Sequence, residues 1–241
     1  MIALRDRLFS GLAVVLIASF AISLFLGNAA LVEKSEAGHV FAAGSARFIL
    51  ILGFSIFVAL QTQRLFESRE IEAVLSRAIS RPRFVLGYWL GFAVAVLAIE
   101  LPFVAGLFWI YGLSGDAVIW ALSLSLECLV MLAFTIFAAV TFERAMSTIL
   151  VSGSFYVLTR LTGFFLGIRE ATPDVGANRV VNPMLDGVGM VVPRLDLMTQ
   201  SRWLVYGVEP TDPILLVMVQ VSIFIAIALC AAAFDLQRKQ F

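Results

Sequence analysis

The sequence predicts an all-α membrane protein with six transmembrane helices. Of its 241 residues, 61% are hydrophobic and only 14% are charged, with a mean hydropathy of +0.99. A soluble domain is about half apolar and about a quarter charged. Apolar runs of roughly 20 residues, the length a helix needs to cross a bilayer, recur along the chain, and most charges fall between them. Residues 1–241 are therefore interpreted as one membrane domain.

The elements follow in order from the N-terminus. The lead MIALRDRLF predicts a short amphipathic helix at the membrane interface, before the first span. A cleaved signal peptide is the alternative for that span, but the apolar run is longer than a typical signal core. A polar segment, about 169–212, precedes the last span. The six spans are predicted at about 9–31, 46–63, 84–112, 117–141, 145–168 and 213–234.

The basic residues predict the orientation of the chain. Ten of them lie on the side of the N-terminus, and six, including Lys34 and Arg47, are assigned to the other side. The positive-inside rule then places both termini in the cytoplasm of a multi-pass protein of the cytoplasmic (inner) membrane. The formal net charge is zero, so nothing indicates a nucleic-acid partner. The two cysteines lie inside apolar runs, where packing rather than a disulfide or metal site is expected.

The segment between spans two and three predicts a second amphipathic helix, on the cytoplasmic surface. Residues 68–81 read SREIEAVLSRAISR, with apolar residues at helical spacing along one stripe. Ser68 can cap its start, and Pro82 is expected to stop it. Such a helix either rests among the lipid headgroups or docks on a protein. Its mixture of acidic and basic residues favours the protein.

The same segment resembles the cytoplasmic loop of ABC-2 type transporter permeases. In that family a phrase like LLSRPISR leads into an aromatic, glycine-bearing third span, and here LSRAISR leads into Phe84, Gly87 and Gly91. The stretch VPRLD, residues 192–196, is similar to the LPxLD phrase of these permeases. The six-span layout with a long outer segment also resembles them.

The resemblance implies a function and partners. The chain is expected to be the permease subunit of an ATP-binding cassette exporter, paired with a second half, identical or related, and with cytoplasmic ATPase subunits in the lipid membrane. ATP and Mg would bind only in those ATPases, because this chain contains no G-x-x-x-x-G-K-[ST] loop. Short outer helices would precede the last span. Residues 67–81 would form the coupling helix, with the contacts made by Glu67, Arg69, Glu70, Glu72, Arg77 and Arg81.

Three charges lie within the predicted spans: Glu100, Glu127 and Arg160. A charge in the bilayer costs a few kcal/mol unless it meets a partner or water. Their similar depths predict that Arg160 pairs with one of the two glutamates. The cluster either fixes helix packing only, or it contributes to a substrate path or a protonation site. The motifs Gly87-x-x-x-Gly91 and Gly163-x-x-x-Gly167 predict close helix approach.

Other functions are weighed against the permease. The sequence argues against an intramembrane enzyme, because neither the H-E-x-x-H nor the G-x-S-x-G motif occurs and the single histidine is His39. A proton-coupled secondary transporter stays open, because Glu100 and Glu127 could carry protons, although no internal repeat is visible. A membrane assembly protein that transports nothing also stays open. The sequence does not specify a substrate.

Overall fold

The structure, a computed structural model, describes residues 7–29, 34–68, 80–142, 144–171, 178–209 and 213–238. These residues form seven α-helices and two short 3-10 helices, and they contain no strand, which confirms the all-α prediction. The α-helices are α1 Arg7–Ala29, α2 Lys34–Glu67, α3 Arg81–Tyr111, α4 Gly115–Phe142, α5 Ala145–Ala171, α6 Asn178–Val191 and α7 Ile214–Arg238.

Five of the described helices, α2 to α5 and α7, are long and apolar enough to cross a membrane. They match predicted spans two to six, with α3, α4, α5 and α7 ending within a few residues of the predicted bounds. The first predicted span is helical as α1, but its described apolar stretch, Ala13–Ser23, is shorter than a span. The count of six spans therefore stays a prediction. The lead helix before Arg7 lies outside the described residues.

Helix α2 begins at Lys34, earlier than the predicted span at about 46–63. The backbone is helical from Lys34 onward. Hydropathy missed residues 34–45 because all of them except Val40 and Phe41 are small or polar, yet small residues allow close packing on α1. Ser23 donates a hydrogen bond to the Gly38 carbonyl at 2.8 Å, and Ser19 donates to Ser45 at 2.6 Å.

Helix α4 is the centre of the bundle. It packs against α2, α3, α5 and α7, while α1 packs on α2. Trp120, Leu124 and Val130 of α4 are completely buried. An aromatic stack joins three helices, with ring centroids 3.8 Å apart between Phe134 and Phe155 and 5.4 Å apart between Phe155 and Phe224. Most of the apolar core therefore forms around one helix.

The outside of the bundle is apolar, as expected for helices in lipid. Large side chains such as Val94, Leu150 and Leu215 are more than half exposed. Gly87 and Gly91 belong to this open surface, since a Cβ added at either would meet no described atom within 4 Å. The expectation that this glycine pair packs against another helix is thus wrong within the described part of the chain.

The segment before α7 folds back over α5 as short helices, as expected for this region. Helix α6 is followed by 3-10 helices at Leu195–Leu197 and Ser201–Leu204. We call residues 192–204 the strap. At one end of the strap, Gln220 of α7 donates to the Val192 carbonyl at 3.2 Å. At the other end, Trp203 is buried.

Candidate functional site

A buried ion pair lies where α4, α5 and the strap meet. The Arg160 Nε atom of α5 is 3.3 Å from Glu127 Oε1 of α4. The Glu127 side chain is fully buried, and that of Arg160 is 16% exposed. Of the two glutamates that the sequence left open, Glu127 is therefore the partner of Arg160.

Arg160 also binds the backbone of the strap. Its Nη1 donates hydrogen bonds to the Leu195 carbonyl and, at 3.0 Å, to the Met198 carbonyl. A guanidinium carries five N–H donors in a planar fork, so one side chain can serve a carboxylate and two carbonyls together. Arg160 thus fastens the strap to the centre of the bundle.

Thr199 is the strap residue that enters the site most deeply. Its hydroxyl donates to Glu127 Oε2, and its backbone N–H donates to Ser123 Oγ at 3.1 Å. Its φ is +48°, and among the described non-glycine residues only Thr199 has a positive φ. For a β-branched residue this conformation is unfavourable and persists only where the surroundings impose it. Here those surroundings are the hydrogen bonds to α4.

Arg47 of α2 also belongs to the site, although the sequence analysis did not predict a role for it there. Its Nη1 donates to the Thr199 carbonyl at 2.9 Å, and its guanidinium is 5.1 Å from the centre of the Phe48 ring. It lies close enough to Glu127 and Arg160 to interact with their charges. The signal was present in the sequence: Ala43, Leu50 and Phe54 share a buried helical stripe, and residue 47 falls on it. The described cluster therefore holds two cations and one carboxylate.

Glu100 of α3 lies apart from this cluster. It is 1% exposed and accepts a hydrogen bond from Ser125 of α4 at 2.7 Å. Within the described part of the chain its Oε2 is buried and has no hydrogen-bond partner, and no ion pair reaches it. The structure therefore separates two buried acidic positions, one compensated by arginines and one held by a serine.

The predicted coupling-helix residues are only partly visible. Arg69, Glu70, Glu72 and Arg77 lie outside the described residues. Glu67 is the last residue of α2 and accepts a hydrogen bond from Gln63 at 2.5 Å.

The structure corrects the predicted end of the amphipathic helix at Arg81. Ser80 has extended backbone and occupies the position just before α3, and Arg81 is already the first residue of α3. Pro82 thus begins the next helix, a position that proline favours because its fixed φ suits the first turn. The Arg81 guanidinium donates to the Leu236 and Gln237 carbonyls at the end of α7, at 2.5 and 2.8 Å.

Residues 69–79 are therefore flanked by helices that are tied to the bundle. On the α2 side, Gln63 Oε1 accepts a hydrogen bond from the backbone N–H of Ala145, which opens α5, at 2.9 Å. On the α3 side, Arg81 holds the carboxyl end of α7. Thr62 and Tyr88 join α2 to α3 with a hydrogen bond of 3.1 Å. We call this end of the bundle the Arg81 end.

Comparisons with known proteins do not assign a family. No protein-family model matches the sequence, and no curated protein matches it. In the part of the chain that the structure describes, no group of three or more histidine, cysteine, aspartate or glutamate side chains could hold a metal ion.

Proposed function

We propose that this chain is the permease subunit of an ATP-binding cassette exporter, with α1 as the first of six spans and both termini in the cytoplasm. The observation that carries the proposal is the anchoring of the two helices that flank residues 69–79. Gln63 at the end of α2 accepts a hydrogen bond from the backbone of α5, and Arg81 at the start of α3 donates to the backbone of α7. A force applied to the segment by a closing ATPase would therefore reach four helices together.

The ATPase is a separate protein in this proposal and binds ATP and Mg itself. Its contacts are Glu67, Arg69, Glu70, Glu72 and Arg77, with Arg81 assigned to the anchor rather than to the interface. A second permease half, identical or related, completes the transporter, and the exported substrate passes between the halves. The strap lies at the end opposite Arg81, where it can cover the outer mouth.

A cross-linking experiment tests this proposal. A photoreactive amino acid at position 72 is activated in native membranes, and the cross-linked protein is identified by mass spectrometry. The proposal expects a protein with a nucleotide-binding loop, and ATPase activity that co-purifies with the chain. Replacing Glu70 and Arg77 with alanine, while the photoreactive residue stays at position 72, should abolish both.

The matched control changes an exposed ion pair at the opposite end of the bundle. Arg202 and Glu209 approach within 3.3 Å on the strap side, and replacing both with alanine should leave the ATPase bound. If no ATPase is found with the wild-type chain, the permease proposal is wrong.

Glu100 favours a second candidate, a proton-coupled transporter. A buried carboxyl group with one serine partner is a candidate proton carrier, because a neutral acid is tolerated in an apolar surrounding far better than a carboxylate. Reconstituted protein should then acidify the lumen of vesicles only when Glu100 is present. Proton movement that survives Glu100→Gln would exclude this candidate.

A further inference from the structure

We propose that a groove at the Arg81 end, between α3 and α7, binds an anionic phospholipid. The groove has a volume of about 250 Å³ and is lined by Pro82, Arg83, Val85, Leu86, Leu229, Cys230 and Ala233. It is smaller than the roughly 300–1,000 Å³ of most small-molecule pockets, which suits a section of an acyl chain. We call it the lipid groove. Its existence does not depend on the proposed transport function.

The walls of the lipid groove have the chemistry of an acyl-chain site. Apart from Arg83 the lining side chains are apolar or, in Cys230, a small thiol. Both walls belong to helices apolar enough to span a membrane. The groove therefore opens toward hydrocarbon, and an acyl chain is the occupant that its surroundings supply.

The positive charge at the rim of the lipid groove favours an anionic headgroup. Arg83 is exposed, and its side chain makes no ion pair or hydrogen bond with another described residue. Arg238 is exposed two turns beyond Cys230 on α7, on the same stripe as Phe234, and its guanidinium lies 4.4 Å from the centre of the Phe234 ring. Arg83 is the cation that lines the lipid groove, and it attracts a phosphate diester with a net negative charge.

The nearest acidic side chain on α7 does not neutralise this rim. Asp235 accepts a hydrogen bond from the Thr141 hydroxyl of α4 at 2.6 Å, so it faces the bundle. Arg81, the other arginine at this position, is engaged with the end of α7. Arg83 is thus the basic side chain that both lines the lipid groove and stays available to a ligand.

The two cysteines provide a direct readout. Cys230 lines the lipid groove and is exposed, whereas Cys128 is buried. An acyl chain seated in the groove would cover the Cys230 sulfur. The full-length chain in detergent is therefore mixed with phosphatidylglycerol or, at the same mole fraction, phosphatidylcholine. The rate at which N-ethylmaleimide modifies the protein is then followed by intact-mass spectrometry, with peptide mapping to assign the product to Cys230.

The proposal expects phosphatidylglycerol to slow the modification of Cys230 at several-fold lower concentration than phosphatidylcholine. A basic side chain near the membrane surface contributes about a fivefold preference for an anionic lipid. Arg83→Gln should therefore reduce the preference by about fivefold, and Arg83→Lys should retain most of it. Inorganic phosphate in millimolar amounts should not protect Cys230, because it cannot fill the apolar groove.

The matched control is Arg144→Gln. Arg144 is also exposed and lies at the Arg81 end, in the turn before α5, but it does not line the lipid groove. Its replacement should leave the preference unchanged. Equal protection by the two lipids in the wild type, or a preference that survives Arg83→Gln, would overturn the proposal. So would an equal loss in Arg83→Gln and Arg144→Gln, since it would indicate general surface attraction.

Discussion

Arg160 neutralises a glutamate that water does not reach, so its replacement should leave a buried charge without its ion-pair partner. Arg160→Leu removes the contact with Glu127 at 3.3 Å and the two hydrogen bonds to strap carbonyls. Removing one partner of a buried ion pair typically costs about 3–5 kcal/mol. We expect Arg160→Leu to lower the free energy of unfolding by that amount. Arg47 limits the loss because it stays near Glu127.

A second substitution should restore part of this stability. In Arg160→Leu/Glu127→Gln the buried carboxylate becomes a neutral amide, which still accepts the hydrogen bond from Thr199. Residues in contact show coupling energies of about 0.5–3 kcal/mol, and we expect a gain in this range over Arg160→Leu alone. The rescue is partial, because glutamine does not replace the arginine hydrogen bonds to the strap.

The matched control uses the other buried glutamate. Glu100 is bound by Ser125 rather than by Arg160, so Arg160→Leu/Glu100→Gln should be as unstable as the sum of its single substitutions. The free energies are measured by reversible unfolding in bicelles for the wild type and the five variants. The ion-pair reasoning is refuted if Glu127→Gln gives no rescue, or if Glu100→Gln rescues equally well.

Three further predictions concern the strap and the core, each measured as the free energy of unfolding in bicelles. A Cβ at Gly163 would lie 2.5 Å from the Asp196 carboxylate of the strap, whereas a Cβ at Gly167 would meet no described atom within 4 Å. Gly163→Ala should therefore be about 1–3 kcal/mol less stable than Gly167→Ala. Equal stabilities of the two variants would contradict the close approach of the strap to α5. Thr199→Val should cost about 1–3 kcal/mol, because the buried Glu127 carboxylate loses a hydrogen-bond donor. Thr199→Ser keeps the hydroxyl and should cost less. An equally large loss in the serine variant would exclude the hydroxyl as the cause. Phe155→Leu should lower the free energy of unfolding by about 1 kcal/mol, because the aromatic contacts of Phe155 are lost. Phe25 is 71% exposed, so the control Phe25→Leu should leave the free energy of unfolding unchanged.

The sequence identified the spanning helices because hydropathy depends on composition within a window and hardly on tertiary contacts. It failed at residues 34–45, where the helix is stabilised by small residues packed on α1 and not by hydrophobicity. It also placed the end of the amphipathic helix at Arg81, although Pro82 is better suited to begin α3. In both cases the local pattern was compatible with two structures, and a neighbouring helix selected one.

The site shows the same division. Composition and spacing were sufficient to predict that Glu100, Glu127 and Arg160 lie inside the membrane domain and that one glutamate pairs with the arginine. They did not determine which one, since both glutamates lie at similar depth and the pairing depends on how α3, α4 and α5 are rotated about their axes. Arg47 joined the site for a related reason: its role requires a strap carbonyl that is 152 positions away in the chain. The sequence by itself therefore determined which segments form long apolar helices and which charges need partners. Only the tertiary structure decided the partners, because helix rotation and strap position arise from packing between distant segments.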